Sequence, residues 1–281
     1  MVETAAPAIL KVSNLTKYFG GLAAVQSLTF EVEQGSITSM IGPNGAGKST
    51  VFNLISGLYQ PDVGDILLGS RKIAGQRAAG LPALLGGKRR FSYTPDRVQK
   101  LGIARTFQNQ RLFANLSVLE NVLIGYHSRL RAGLFGDIFK PPSVRHEEHE
   151  ARERSMDALR LFGKRLAPNA NRRCMDLAYA DRRLLELARA IVSEPKVLML
   201  DEPSAGMNPT ETQEFMGYVR AIRDRGISVL LIEHNLSIVM GISEHIVVLD
   251  YGTKIAEGLP EDVRNNEKVI EAYLGRKSSS A

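Results

Sequence analysis

The sequence predicts an α/β fold built around a parallel sheet, and three observations carry that reading. First, the apolar run Ile37–Ile41 enters the glycine-rich stretch Gly42-Pro43-Asn44-Gly45-Ala46-Gly47-Lys48-Ser49-Thr50 and leaves it as Val51–Ile55. That order is strand, tight turn, helix. Second, Val197–Leu200 is a continuous apolar run, as a strand buried on both faces requires, and Ile227–Ile232 reads as another buried strand. Third, helical patterns alternate with them: Arg182–Val192 precedes the first run, and Thr210–Arg225 separates the two.

The stretch from Gly42 to Thr50 fits G-x-x-x-x-G-K-[ST] without a gap. Glycines at 42, 45 and 47 let the backbone turn and bring its N–H groups against phosphate oxygens. The helix that follows aims its positive dipole end at the same anion. Lys48 has the reach for β- and γ-phosphates, and the Ser49 hydroxyl suits Mg²⁺. The ligand expected here is a nucleoside triphosphate with Mg²⁺, held by every residue of the loop, Pro43, Asn44, Ala46 and Thr50 included.

Taken in order, Ala8–Ser13 reads as a strand, and Leu28, Phe30 and Val32 alternate with polar residues in a second one. Tyr18 and Phe19 stand before a glycine pair, where an aromatic ring could stack on a purine. Val51–Ser56 is a helix capped by Gly57, and Ile66–Leu68 a short strand. From Ile73 to Asp96 the periodicity is lost among glycines, prolines and arginines, which predicts an irregular, exposed insertion. Leu101–Gln108 resumes a strand-like pattern. Ser117 with Glu120 three residues on is a capping box, and Ser143–Phe162 reads as a long charged helix. His245–Asp250 and Thr253–Ala256 form a hairpin across Tyr251-Gly252, and Pro260–Tyr273 is a broken helix.

Composition narrows the class. The chain has 281 residues, 44% hydrophobic and 23% charged, values ordinary for a globular protein. No apolar run approaches the roughly 20 residues of a membrane helix. Met1–Leu10 has neither the basic start nor the apolar centre of a secretory signal. Cys174 is the only cysteine, which suits a reducing compartment. The pair His146 and His149 reads as part of a solvated helix face. The net charge is +6, yet the segment from Arg71 to Arg105 alone carries nine basic residues and one acid. Such a patch suits an anionic partner or a solvated loop.

Polar residues stand just past the carboxyl ends of the predicted strands: Gln108, Asp201, Glu202 and His234. Ligands of open α/β sheets bind at such ends. Asp201, after an apolar strand, is placed to hold Mg²⁺ opposite Ser49, and Glu202 to orient or deprotonate an attacking water. His234 could hydrogen-bond the γ-phosphate.

The order phosphate loop, Gln108, Leu177-Ala178-Tyr179-Ala180-Asp181, Asp201-Glu202-Pro203, His234 resembles an ATP-binding cassette (ABC) ATPase. The resemblance implies a P-loop NTPase core with a parallel sheet, an antiparallel β subdomain holding the adenine, and a helical subdomain. On it, residues 8–275 are one nucleotide-binding domain, with its core at 8–108 and 183–258, the helical subdomain at 109–182, a helical extension at 259–275 and tails at 1–7 and 276–281. It also implies that Phe19 (or Tyr18) stacks on adenine and that Gln108 senses Mg²⁺ and the γ-phosphate. Leu177–Asp181 becomes the signature that meets a partner's ATP, Ser204–Asn208 the loop crossing the dimer interface, and His234 the switch histidine. Gly102–Asn109, Glu202–Pro209, Ile232–Asn235 and Ala272–Gly275 are similar, more narrowly, to the branched-chain amino acid importer ATPases. Those imply a non-identical second ATPase, two transmembrane permease subunits, a solute-binding protein and a place on the cytoplasmic face of the membrane.

Two features depart from the family pattern. The insertion at Ile73–Asp96 is long, and the usual Leu-Ser-Gly-Gly-Gln signature has Ala178 in place of Ser and Ala180 in place of the second Gly. A methyl at 180 is expected to crowd the approach of backbone to phosphate. The site completed by this signature should therefore be the weaker of two. The alternative, a soluble relative acting on nucleic acid or the ribosome, draws support from the basic segment. A single cassette without a coiled-coil insertion opposes it, so no nucleic-acid partner is expected.

Overall fold

Two sheets enclose the helix that follows the glycine-rich loop. The computed structural model describes residues 6–76, 90–106, 111–127 and 142–274. The first sheet is antiparallel, in the order β2-β1-β4-β5-β6, from β1 (Ala8–Phe19), β2 (Leu22–Glu33), β4 (Val63–Leu68), β5 (Arg71–Gln76) and β6 (Arg90–Ser92). The second runs β11-β10-β3-β9-β8-β7, from β3 (Ile37–Ile41), β7 (Ile103–Arg105), β8 (Val197–Asp201), β9 (Ser228–Ile232), β10 (His245–Asp250) and β11 (Thr253–Gly258). All its pairings are parallel except the β10–β11 hairpin at the edge. β3, β8 and β9 are buried at every residue, which explains their predominantly apolar sequence; the polar exceptions are Thr38 and Ser39 in β3, Asp201 at the end of β8 and Ser228 at the start of β9.

Helix α1 (Lys48–Ile55) lies between the sheets. Its Val51, Phe52, Leu54 and Ile55 join one apolar cluster with Leu10 and Ile66 of the first sheet and Met199 and Leu230 of the second. The opposite face of the parallel sheet carries α3 (Val118–Tyr126), α4 (Pro142–Arg160), the short α5 (Gly163–Leu166), α6 (Tyr179–Ile191) and α7 (Pro209–Asp224). Leu159, near the end of α4, and Phe162, just past it, are fully buried there. Helices α8 (Leu236–Ile242), α9 (Pro260–Arg264) and α10 (Glu267–Leu274) cover β10 through Val239, Val263 and Val269. The remaining helix, α2 (Pro95–Leu101), leads into β7. No described helix is long and apolar enough to cross a membrane.

Several boundaries differ from the sequence expectation for identifiable reasons. β1 runs on to Phe19, because register shifts and a left-handed Asn14 (φ 48°) break the alternation without ending the pairing to β2 and β4. The insertion expected at Ile73–Asp96 is ordered at both ends: β5 continues to Gln76, and β6 pairs with it through Ala74↔Ser92. Three residues are too few to show a period. Pro95, which looks like a breaker, occupies the first position of α2 instead. Residues 77–89 of the expected insertion lie outside the described residues. The capping box at α3 forms, with Ser117 Oγ accepting from the Glu120 N–H at 3.2 Å and the Glu120 carboxylate accepting from the Ser117 N–H at 2.7 Å. α6 starts three residues before its expected Arg182, so Tyr179–Asp181 of the signature segment form its first turn and Ala178 its N-cap.

Candidate functional site

The phosphate loop joins β3 to α1 under tight steric control. Gly42 (φ 150°) would put a Cβ 2.1 Å from the Leu249 carbonyl oxygen, and Gly47 (φ 100°) would put one 2.5 Å from that of Ala24. Glycine is demanded at both positions by contact as well as by backbone angle. The turn between β10 and β11 braces the loop: the Gly252 N–H donates to the Ala46 carbonyl, and the Gly252 carbonyl accepts from the Gln26 N–H. Lys48 is buried, its Nζ donating to the carbonyls of Gly42 (2.7 Å) and Pro43 (2.9 Å). Burial pushes its pKa down, while the charges of Glu202 and Asp201 oppose that shift.

These residues surround a cavity of about 370 Å³, lined by Leu22–Ala24, Asn44–Thr50, Glu202, His234, Tyr251 and Gly252. The phosphate loop, Glu202 and His234, far apart in sequence, therefore meet where their strands end, joined by Leu22–Ala24 and the Tyr251-Gly252 turn. Glu202, just past β8, has φ 49°, a conformation uncommon for a non-glycine residue and frequent at functional positions. Its Oε1 lies 2.5 Å from His234 Nε2. Beneath the pair, buried Glu233 accepts from the Ser204 N–H at 3.0 Å and the His234 N–H at 3.3 Å, tying the two strand ends together.

Asp201 ends β8 and pairs with Arg105, whose Nη2 donates to Oδ2 at 2.8 Å. A buried carboxylate and a loop serine are the donor set that a hard divalent cation takes, so Asp201 and Ser49 fit Mg²⁺ in kind. Gln108, expected to join them, lies outside the described residues.

Phe19 is placed apart from the cavity lining. It stands half-exposed at the end of β1, packed edge-on to Tyr59 at 5.3 Å. The aromatic residue in the cavity lining is Tyr251, 87% exposed at φ 44°. Sequence reasoning missed it because Tyr251-Gly252 reads simply as a hairpin turn.

None of Leu177–Asp181 lines this cavity. Leu177 is buried, Ala178 is the N-cap of α6 and makes no side-chain cap bond, and Tyr179 donates through Oη to the Ala205 carbonyl at 2.9 Å. Asp181 accepts from Arg165 Nε at 2.5 Å. Ala180 is helical and 3% exposed, so its methyl is covered by the domain. That differs from the expected crowding on an open face, and Ala178 is left as the exposed change.

The basic segment is partly neutralised. Lys72 pairs with Asp65 and Arg90 with Asp62, and Arg105 is buried against Asp201.

Comparison with known proteins agrees with this geometry. The family model described as ABC transporter matches residues 25–205, and one described as branched-chain amino acid ATP-binding cassette transporter matches residues 253–277. The chain is 44% identical over 268 residues to the high-affinity branched-chain amino acid transport ATP-binding protein LivG of Escherichia coli K12, covering 95% of this chain and 98% of the relative. It is 42% identical to BraF of Pseudomonas aeruginosa, described in the same terms, with the same coverage. Among solved structures, a nucleotide-free ATP-binding cassette from an ABC transporter superposes with a TM-score of 0.77 at 30% identity, covering 96% of this chain and all of the other. The ADP conformation of MJ1267, also an ATP-binding cassette of an ABC transporter, gives 0.78 at 29% identity with the same coverage. The chain belongs to the ABC transporter family.

Proposed function

We propose that this chain is the ATP-hydrolysing subunit of an importer for branched-chain amino acids or related small solutes. The observation that carries the catalytic reading is the meeting of the phosphate loop, Glu202 and His234 around one cavity. The names of LivG and BraF support the substrate class.

Loop N–H groups and Lys48 hold the triphosphate, and Asp201 and Ser49 would hold Mg²⁺, which supplies charge neutralisation when bound. His234 fixes the Glu202 carboxylate, and Glu202 takes a proton from water as the water oxygen attacks the γ-phosphorus. The bond to the β–γ bridging oxygen breaks, and ADP leaves with that electron pair while the γ-phosphate departs as inorganic phosphate. Gln108 relays the state of the site to the permease, and an aromatic at Phe19 holds the adenine, both carried by resemblance to the family. On the same ground, residues 8–275 form one cassette with a helical subdomain at 109–182.

The partners in this reading are a second, non-identical ATPase, two permease subunits and, indirectly, a solute-binding protein at the opposite face. The chain sits peripherally on the cytoplasmic face. Ala178 lacks the hydroxyl that a serine signature offers to the facing γ-phosphate, so the site it completes turns over more slowly. The main hydrolysis then occurs at this chain's own phosphate loop. Co-purification from membranes followed by reconstitution tests the assignment. ATP-dependent leucine uptake with phosphate release is expected, and phosphate release without uptake of any branched-chain amino acid overturns the substrate. Glu202→Gln in this chain should lower turnover more than the matching change in the partner ATPase, and equal losses overturn the asymmetry.

A further inference from the structure

Arg105 reaches the catalytic centre from an unexpected side. It closes β7, where it lies beside Met199 in the parallel register with β8. Its side chain is 8% exposed and that of Asp201 10%. One nitrogen, Nη2, donates to Asp201 Oδ2 at 2.8 Å. The other, Nη1, donates to Asn53 Oδ1 at 2.7 Å and Ser56 Oγ at 3.1 Å, on and just after α1. The guanidinium carbon lies 5.4 Å from the centroid of the Phe52 ring on the same helix. The guanidinium is thus anchored in the helix that begins with Lys48 and holds the Asp201 carboxylate at the end of β8.

A buried ion pair does not by itself explain such an arrangement, since desolvation offsets much of its attraction. The planar fork does something a point charge would not: it fixes a direction. We propose that Arg105 is a positioning residue for the divalent cation, holding the Asp201 carboxylate in register with the phosphate loop by bridging it to α1. This rests on the reading of Asp201 as a Mg²⁺ ligand.

Charge and orientation make opposite demands. If only the charge of Arg105 mattered, it would compete with the cation, and its removal would tighten cation binding. If orientation matters, removal weakens it. The test uses full-length protein with ATP and Mn²⁺ as the probe, following free Mn²⁺ by its paramagnetic resonance signal, and measures ATP affinity separately in EDTA. Arg105→Met should bind ATP in EDTA within about twofold of the unaltered protein. Its Mn²⁺ half-saturation in the presence of ATP should rise about tenfold, the order seen for positioning partners of metal ligands. Arg105→Lys, which keeps the charge and loses the fork, should fall between. Asn53→Ala, which removes one anchor of the fork and leaves Asp201 paired, should shift Mn²⁺ binding in the same direction by less and serves if Arg105→Met does not fold. Mn²⁺ half-saturation that is unchanged or tighter in the variants overturns the proposal. Failure of the unaltered protein to bind Mn²⁺ with ATP would instead overturn the reading of the site on which it rests.

Discussion

Glu202 Oε1 and His234 Nε2 lie 2.5 Å apart although 32 residues separate them in the chain. The contact exists because β8 and β9 are neighbouring parallel strands, paired through Asp201↔Ile232, so their carboxyl ends release these two side chains side by side. In the proposed mechanism Glu202 is the general base, which needs a fixed carboxylate, and the contact with His234 would supply that restraint.

Replacing Glu202 by Gln should therefore lower ATP hydrolysis in the assembled transporter by about 10²–10⁴-fold, the usual worth of a positioned base. His234→Ala should lower it by less, because the carboxylate survives. ATP binding should be retained in both, since Lys48 and the loop backbone are untouched. Phosphate release and equilibrium nucleotide binding, measured on the same preparations, separate the two effects. Loss of ATP binding in Glu202→Gln would contradict the assigned role.

The chain contains no tryptophan. Tyr251→Trp would make a single emitter on the cavity wall. Its fluorescence should change on adding ATP without Mg²⁺, with the same half-saturation as a direct binding measurement. No change at saturating ATP would place the nucleotide elsewhere.

Burial pushes the Glu257 carboxyl up, but hydrogen bonds from His245 and Lys254 outweigh it and hold the group below its ordinary value. The His245 Nε2 contact is 3.0 Å. A carboxylate with a depressed folded pKa adds stability that is full above its unfolded value of 4.5 and is lost as pH falls through the folded one. Glu257→Gln should cost about 0.2–1 kcal/mol at pH 7, as partly exposed ion pairs do. Unfolding curves of the two proteins should converge as pH is lowered below that unfolded value.

The capping box at Ser117 secures the start of α3, and Ser117 also bridges to Arg173. Ser117→Ala should destabilise the protein by about 1 kcal/mol, with Ser117→Asp recovering most of it. Urea midpoints at constant slope check this.

The elements read well where one residue type served one purpose. Val197–Leu200 and Val229–Ile232 are apolar because both faces are covered, and Ile37–Ile41 is mostly so, its Ser39 answering a buried partner in Ser243. Ser117 and Glu120 announce a helix start because their bonds are local. Arg105 was opaque for the opposite reason. An arginine among arginines reads as exposed, and its partners Asn53 and Asp201 lie 52 and 96 residues away. Tyr251 was opaque because the left-handed turn that presents it is set by Gly252 packing on the phosphate loop, a contact that no local pattern encodes. The narrow strand β6 exists only through β5, so its sequence alone could not reveal it.

Helix α1 has a thermodynamic consequence. Because Phe52 and Leu54 are shared by the cores of both sheets, the element that grips phosphate is also the keystone between two layers. Anything that binds the folded loop and not the unfolded chain raises stability in proportion to the logarithm of its concentration over its dissociation constant. That gain cannot stay local. Both layers should melt in one cooperative transition whose temperature climbs with nucleotide, so that an empty cassette is the form most exposed to unfolding and proteolysis.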